Sequence, residues 1–175
     1  MSLLVRRLVL AVAVLGLMPM LQAQTQQAAP QAAPAAACPS TATLDQLIAA
    51  IDAAITGPAN RDRTCFRALM LPDVRLIPVN GTTGTQRLLT VDDWITAVAK
   101  NGDEDVTEKQ LKFQSETFGR IAHLWSTYQT TLAGKPVARG INSIQAVYDG
   151  QNWHIIEIVW QAENPQTPIP AQYLP

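Results

Sequence analysis

The sequence has no cluster of basic side chains and no basic amphipathic segment in its expected folded part. It carries 13 Lys and Arg against 14 Asp and Glu, and loss of Arg6 and Arg7 with an N-terminal signal segment leaves 11 against 14. Proteins that bind nucleic acid or an anionic membrane surface usually present clustered positive charge. The sequence therefore argues against both classes of partner.

Cysteine and histidine are scarce, with two residues of each in the 175. His123 and His154 are well separated, so no structural metal site is expected. Cys38 and Cys65 form an even pair, which predicts a disulfide if the protein is exported. A helix between them would hold them about 20 Å apart unless the chain after Gly57 folds back. The sequence leaves the bridge open.

No apolar run reaches the roughly 20 residues that a membrane-spanning helix needs. The run over residues 8–17 follows two arginines and precedes Pro19 and a small-residue pattern that ends at Ala23. This order is typical of a signal peptide. We therefore expect residues 1–23 to be removed and the protein to be periplasmic or secreted.

Composition divides the rest of the chain into three parts. Residues 24–40 are almost wholly Gln, Ala and Pro, which predicts a disordered linker. Residues 41–165 are one domain's worth of chain, long enough for a proper core. Residues 166–175 are expected to form a Pro-rich tail.

Helix signals occupy the first half of this domain. A capping box at Thr43 opens a helix with apolar residues at helical spacing, and Gly57 ends it. Further helices are predicted after Thr64 and after Thr90. Between them, residues 74–79 predict a short strand, which its proline confines to a sheet edge.

Strand signals occupy the second half. Alternation over residues 111–116 and longer strands over residues 121–132, 137–148 and 153–162 predict an antiparallel meander. Helices followed by strands indicate an α+β domain whose helices cover one face of the sheet.

Both faces of the last strand are predicted to be apolar. One face is expected to carry Ile156, Ile158 and Trp160, and the other Trp153, Ile155 and Val159. Only one face can pack on the helices, so a homodimer formed sheet to sheet is predicted, with a lone sheet bearing scattered exposed hydrophobics as the alternative.

Several segments resemble exported SnoaL-like proteins of the nuclear transport factor 2-like superfamily. They lie at residues 71–78, 118–128, 139–145 and 149–156, together with the helix at Thr90, and the similarity spans residues 41–165. The resemblance implies three N-terminal helices packed in a strongly curved, mainly antiparallel sheet of about six strands, which form a cone with an apolar pocket. The superfamily includes ketosteroid isomerases, polyketide cyclases, epoxide hydrolases, dehydratases and members without assigned chemistry, so the fold selects no reaction.

Three strand residues are the candidate catalytic groups. His123 could move a proton, Tyr128 could donate its hydroxyl to a ligand oxygen, and burial could raise the pKa of Glu157. Each also has a structural interpretation: a packed strand histidine, an amphipathic tyrosine, and an ion pair of Glu157 with Arg139 or Arg120. Strand parity points His123 and Tyr128 to opposite faces.

Six residues are expected to line the pocket: Trp94, His123, Trp125, Tyr128, Ser143 and Trp153. Glu116 and Glu157 are the only carboxylates expected within the interiors of the long strands. No acidic residue matches the superfamily's general base, and no nucleophile motif or phosphate-binding loop is present, so no cofactor is expected.

These observations predict an exported domain that binds a small ligand or serves as an accessory module, with no assignable reaction. Two alternatives stay open. One is a general acid–base isomerase, cyclase or dehydratase acting on a small apolar substrate in the cone. The other is a structural dimer whose cone is filled.

Overall fold

The structure, a computed structural model, describes residues 37–175. The predicted signal peptide and residues 24–36 of the predicted linker lie outside the described residues. No helix between residues 37 and 175 is long and apolar enough to cross a membrane.

The described residues form an α+β domain around one strongly curled, mixed sheet of six strands, as the resemblance implied. In chain order the elements are α1 (Leu44–Ile55), β1 (Gly57–Pro58), α2 (Thr64–Ala68), β2 (Met70–Val79), α3 (Val91–Ala99), β3 (Asp105–Phe118), β4 (Ile121–Leu132), β5 (Lys135–Tyr148) and β6 (Trp153–Ala162). The spatial order is β1-β3-β4-β5-β6-β2, and β2 lies parallel to β6 while the other neighbours are antiparallel.

The three helices do not form one block at the N-terminal end of the domain, so the expectation of three N-terminal helices was wrong. Strands β1 and β2 stand between them, and α3 follows β2. Helix α1 buries Leu47 and Ile51 completely against the sheet, whereas α3 has no fully buried residue. The apolar stripe of α3 packs loosely because part of it faces a cavity rather than a filled core.

Local capping explains where the helices begin and end. Capping boxes at Thr43 and Thr90 satisfy the first backbone N–H groups of α1 and α3, as the sequence predicted. The C-terminal end of α1 is capped by Arg63, which is 3% exposed and donates to the carbonyl oxygens of Ala54 and Ile55. Positive charge there complements the helix dipole. Burial lowers the pKa of this guanidinium.

Single-residue β-bulges interrupt strands β3, β5 and β6. Leu111, Val137 and Ile156 each lack a partner on the neighbouring strand, so the pairing shifts by one residue at each point. A bulge bends its strand and increases the local twist. These shifts contribute to the curl of the sheet.

The bulge at Ile156 corrects the predicted faces of β6. Ile155 and Ile158 were expected on opposite faces, but both are buried in the same core, at 0% and 8% exposure. The extra residue resets the alternation, so Trp153 and Trp160 also share the concave face. Glu157 and Val159 lie on the convex face.

The two ends of the domain are held to its body. A disulfide joins Cys38 to Cys65, because the chain after Gly57 folds back beside α1. Residues 166–175, which the sequence placed outside the domain, pack on the convex face. There the Tyr173 carbonyl oxygen accepts a hydrogen bond from Thr127 at 2.6 Å.

Candidate functional site

A cavity of about 210 Å³ lies between the three helices and the concave face of the sheet. Its wall is mostly apolar and aromatic, with a small polar group of strand residues. The lining residues are Ile51, Ile55, Phe66, Leu76, Trp94, Val98, Val106, Glu108, Tyr128, Thr130, Ala138, Asn142, Ile144, Ile158 and Trp160. An apolar cavity with a few polar groups is the usual form of a small-molecule site.

Glu108 is the centre of the polar group. Its carboxylate accepts hydrogen bonds from Gln110 Nε2 at 3.1 Å and from Thr130 Oγ1 at 3.3 Å. The Gln110 side-chain oxygen in turn accepts from Ser126 at 2.6 Å and from Asn142 at 3.3 Å. This network fixes Glu108 against the sheet, because its members come from β3, β4 and β5 and bond to one another.

The environment of Glu108 favours its protonated form. Burial raises the pKa of Glu108 to about 7, and the nearby Asp52 carboxylate also raises it. Hydrogen bonds from Thr130 and Gln110 oppose the shift without cancelling it. A carboxyl group with a pKa near neutrality can change its charge under ordinary conditions.

Tyr128 presents an unused hydroxyl to the same cavity. The residue is 5% exposed, and its hydroxyl makes no hydrogen bond with any residue from 37 to 175. Burial, with the negative charge of Glu108, raises the pKa of Tyr128. The hydroxyl therefore keeps its proton and is free to meet a polar atom of a ligand.

The sequence-predicted pocket residues separate into two groups. Trp94 and Tyr128 line the cavity. His123, Trp125 and Ser143 lie on the convex face, where His123 Nε2 and Ser143 Oγ are 3.1 Å apart. His123 and Tyr128 thus point to opposite faces, as parity indicated, because the bulge in β3 leaves the alternation of β4 intact.

Trp153 and Glu157 also lie away from the cavity. Trp153 is on the concave face at the far end of β6, with its ring centroid 5.3 Å from that of Tyr148. Glu157 forms an ion pair with Arg75, which stands beside it because β2 runs parallel to β6. The ion-pair interpretation thus holds with a partner other than Arg139 or Arg120.

Glu108 is the residue that sequence reasoning missed. The strand was recognised from residue 111 onward, so Glu116 and Glu157 were wrongly taken as the only carboxylates inside the long strands. Strand β3 begins at Asp105, and Val106, Glu108 and Gln110 alternate on its inner face. The period-two pattern from Val106 was a usable signal, which the charged residues around it obscured.

A second groove of about 460 Å³ lies on the convex face, between the sheet and the C-terminal segment. Trp125, which lines this groove, remains 36% exposed. The homodimer through the sheet stays a prediction, which the molecular mass in solution would check.

Metal ligands do not cluster in the described part of the chain. Residues 37–175 contain no group of three or more His, Cys, Asp or Glu side chains placed to hold a metal ion.

Comparison with known proteins identifies the fold. No family model matches the chain, and no curated protein matches its sequence. The beta subunit of a putative aromatic-ring-hydroxylating dioxygenase from Novosphingobium aromaticivorans is similar over 72% of this chain and 94% of that chain, with a TM-score of 0.55 and 11% identity. A protein of unknown function from Mycobacterium tuberculosis is similar over 72% of this chain and 75% of that chain, with a TM-score of 0.53 and 14% identity.

A nuclear transport factor 2-like protein of unknown function from Silicibacter pomeroyi is similar over 69% of this chain and 92% of that chain, with a TM-score of 0.50 and 16% identity. At such identities the likeness concerns the fold alone. The chain has the nuclear transport factor 2-like cone fold, which confirms the resemblance noted in its sequence.

The raised pKa of Glu108 predicts a pH dependence of stability. The unfolded chain ionises Glu108 near the ordinary glutamate pKa of 4.5, whereas the folded protein holds the proton until about pH 7. The contribution of Glu108 is therefore fully present below about pH 4.5 and is lost as the pH rises to 7. Relative to Glu108→Gln, the wild-type free energy of unfolding should fall by about 3 kcal/mol over this range. Urea unfolding across the pH range measures it, and Glu116→Gln, on the convex side of β3, should show no such difference.

Proposed function

We propose that the cavity binds a small, largely apolar molecule whose polar end meets Glu108 and Tyr128. One observation carries the proposal: an apolar cavity of about 210 Å³ holds, within its wall, a buried carboxyl group and a tyrosine hydroxyl with no partner among the described residues. A polar group without a protein partner is costly in an apolar setting unless water or a ligand satisfies it.

The cavity volume limits the size of the ligand. A cavity of roughly 150 Å³ suffices for benzene. The 210 Å³ here therefore suit a molecule with one substituted ring, or a branched chain of similar bulk. A cone filled by its own side chains, as a purely structural dimer would have, is disfavoured by the same volume.

Binding is tested with toluene as the apolar probe and a cavity-filling variant. Ala138 lines the cavity, so a phenylalanine at this position should occupy the probe's space. Ligand-observed NMR should detect toluene bound to the wild type, and Ala138→Phe should weaken binding at least about tenfold.

The matched control is Ala97→Phe, which adds the same ring to an exposed position of α3. It should bind toluene as the wild type does. Equal binding by all three proteins would place the probe outside the cavity and contradict the proposal, as would the failure of toluene and related one-ring probes to bind at all.

A second candidate function is general acid–base catalysis on a small carbonyl compound. It is favoured by the pairing of Glu108, whose pKa is about 7, with a Tyr128 hydroxyl that keeps its proton. The Glu108 carboxylate would take a proton from the carbon next to the carbonyl group. The C–H electron pair would then form the enolate double bond while the Tyr128 hydroxyl donates a hydrogen bond to the enolate oxygen.

Hydrogen exchange of acetophenone in heavy water tests this candidate. NMR should show the methyl protons replaced by deuterium, at a rate that rises as the pH passes through about 7 and Glu108 ionises. Glu108→Gln should lower the rate at least about a hundredfold, and Glu116→Gln should leave it unchanged. Exchange no faster than in buffer alone would rule out this chemistry for the probe while leaving simple binding intact.

We also propose that the protein works outside the cytoplasm. The signal-peptide pattern of residues 1–23 and the Cys38–Cys65 disulfide support this proposal, since disulfides persist in oxidising compartments. Cell fractionation should find a processed chain, oxidised at both cysteines, in the periplasm or medium. A full-length, reduced protein in the cytoplasm would contradict it.

A further inference from the structure

The charges that line the cavity are of one sign. Glu108 and Tyr128 are its ionisable lining residues, and no lysine, arginine or histidine of the described part contributes to the wall. An anionic ligand would therefore find no counter-charge within the cavity. A cationic ligand would find one.

Glu108 differs from two other partly buried carboxylates, Glu157 and Glu163, in having no cationic partner within the described part of the chain. Glu157 pairs with Arg75 and Glu163 pairs with Arg139, and the side chains of these two acids are 19% and 24% exposed. Glu108 forms no salt bridge with any residue between 37 and 175. A buried carboxylate without a cation is unfavourable, so the site is electrostatically incomplete in the protein alone.

Hydrogen-bond acceptors remain unused around the same point. The Glu108 carboxylate accepts from Gln110 and Thr130 and has lone pairs to spare. Asn142 donates through its side-chain nitrogen, while its side-chain oxygen accepts nothing from residues 37–175. The Tyr128 oxygen is also free to accept. An ammonium group offers three N–H donors and no acceptor, which complements this set.

Aromatic rings supply the rest of the wall. Phe66 and Trp94 are stacked with their centroids 4.3 Å apart, and Trp160 lines the cavity from β6. Aromatic faces attract cations as well as apolar groups, most strongly where water is excluded. The same wall therefore suits both the apolar body of an amine and its charged end.

From these observations we infer that the ligand of the cavity is a small primary amine, bound as its ammonium ion with Glu108 as the counter-ion. The inference rests on the proposed binding function and names the chemical class of its ligand. The apolar body would lie against the aromatic wall, and the ammonium group would donate to the free acceptors of Glu108, Asn142 and Tyr128.

Binding of an amine should depend on the ionisation of Glu108. The ionisable groups that face Glu108 are Asp52 from α1 and Tyr128 from β4, while β5 contributes the neutral Asn142. Burial raises the pKa of Asp52, although the backbone N–H of Gln110 and the charge of Lys109 act to lower it. Below about pH 7 Glu108 carries a proton that an ammonium ion must displace. Affinity should therefore rise about 30-fold between pH 5.5 and 8.

Three probes of similar shape separate the possibilities: benzylamine, benzyl alcohol and acetophenone. With the wild-type protein at about pH 8, titration calorimetry should show benzylamine binding at least about tenfold more tightly than either neutral probe. Glu108→Gln should remove this preference while still binding the neutral probes, and Glu116→Gln should retain it. Circular dichroism confirms that both variants are folded.

The opposite results are equally informative. Benzyl alcohol or acetophenone binding as tightly as benzylamine would overturn the amine inference and leave the apolar-ligand function in place. Benzylamine binding equally well to Glu108→Gln would also overturn it, because Glu108 would not be the counter-ion. If none of the three probes binds and toluene does not bind either, the proposed binding function itself would be contradicted.

Discussion

The curl of the sheet is the constraint on which the rest of this structure depends. A flat sheet would present its inner face to α1 alone, whereas the curled sheet brings β2 and β3 to opposite sides of one space. The bulges in β3, β5 and β6 bend the strands, and Gly140 permits close contact at the bend. A Cβ atom at Gly140 would lie 2.1 Å from the carbonyl oxygen of Gln161, so no other residue fits there unless the backbone moves.

The curl also explains why polar residues occur inside an otherwise apolar cone. Glu108, Gln110, Ser126 and Asn142 come from three adjacent strands, and the inward bend of these strands directs their side chains toward one another. Their hydrogen bonds offset most of the cost of burying them. The Glu108 carboxyl group and the Tyr128 hydroxyl both face the cavity. Binding sites commonly place a few polar groups in an apolar wall, where they orient the ligand.

Much of the fold could be predicted because its signals are local. The capping boxes at Thr43 and Thr90 and the alternation within β4 each depend on a few neighbouring residues, and the structure agrees with them. The site could not be predicted in the same way. A bulge such as that at Ile156 leaves no clear mark in the sequence, yet it exchanges the faces of every residue that follows it in the strand. Glu108 was missed because a charged residue near the start of a strand is usually exposed to solvent. Only its neighbours in the folded structure show that it faces inward.

The parallel pairing of β2 with β6 has a consequence for how the protein folds. The two strands are separated in sequence by most of the domain. Leu76 and Ile158, which lie side by side in the cavity wall, meet only when the last strand is in place. Contacts between distant parts of the chain require a costly loop closure, so they form late and slowly. Synthesis of β6 is therefore the step that allows the cone to close, and a chain that still lacks it leaves β2 without its neighbouring strand in the sheet.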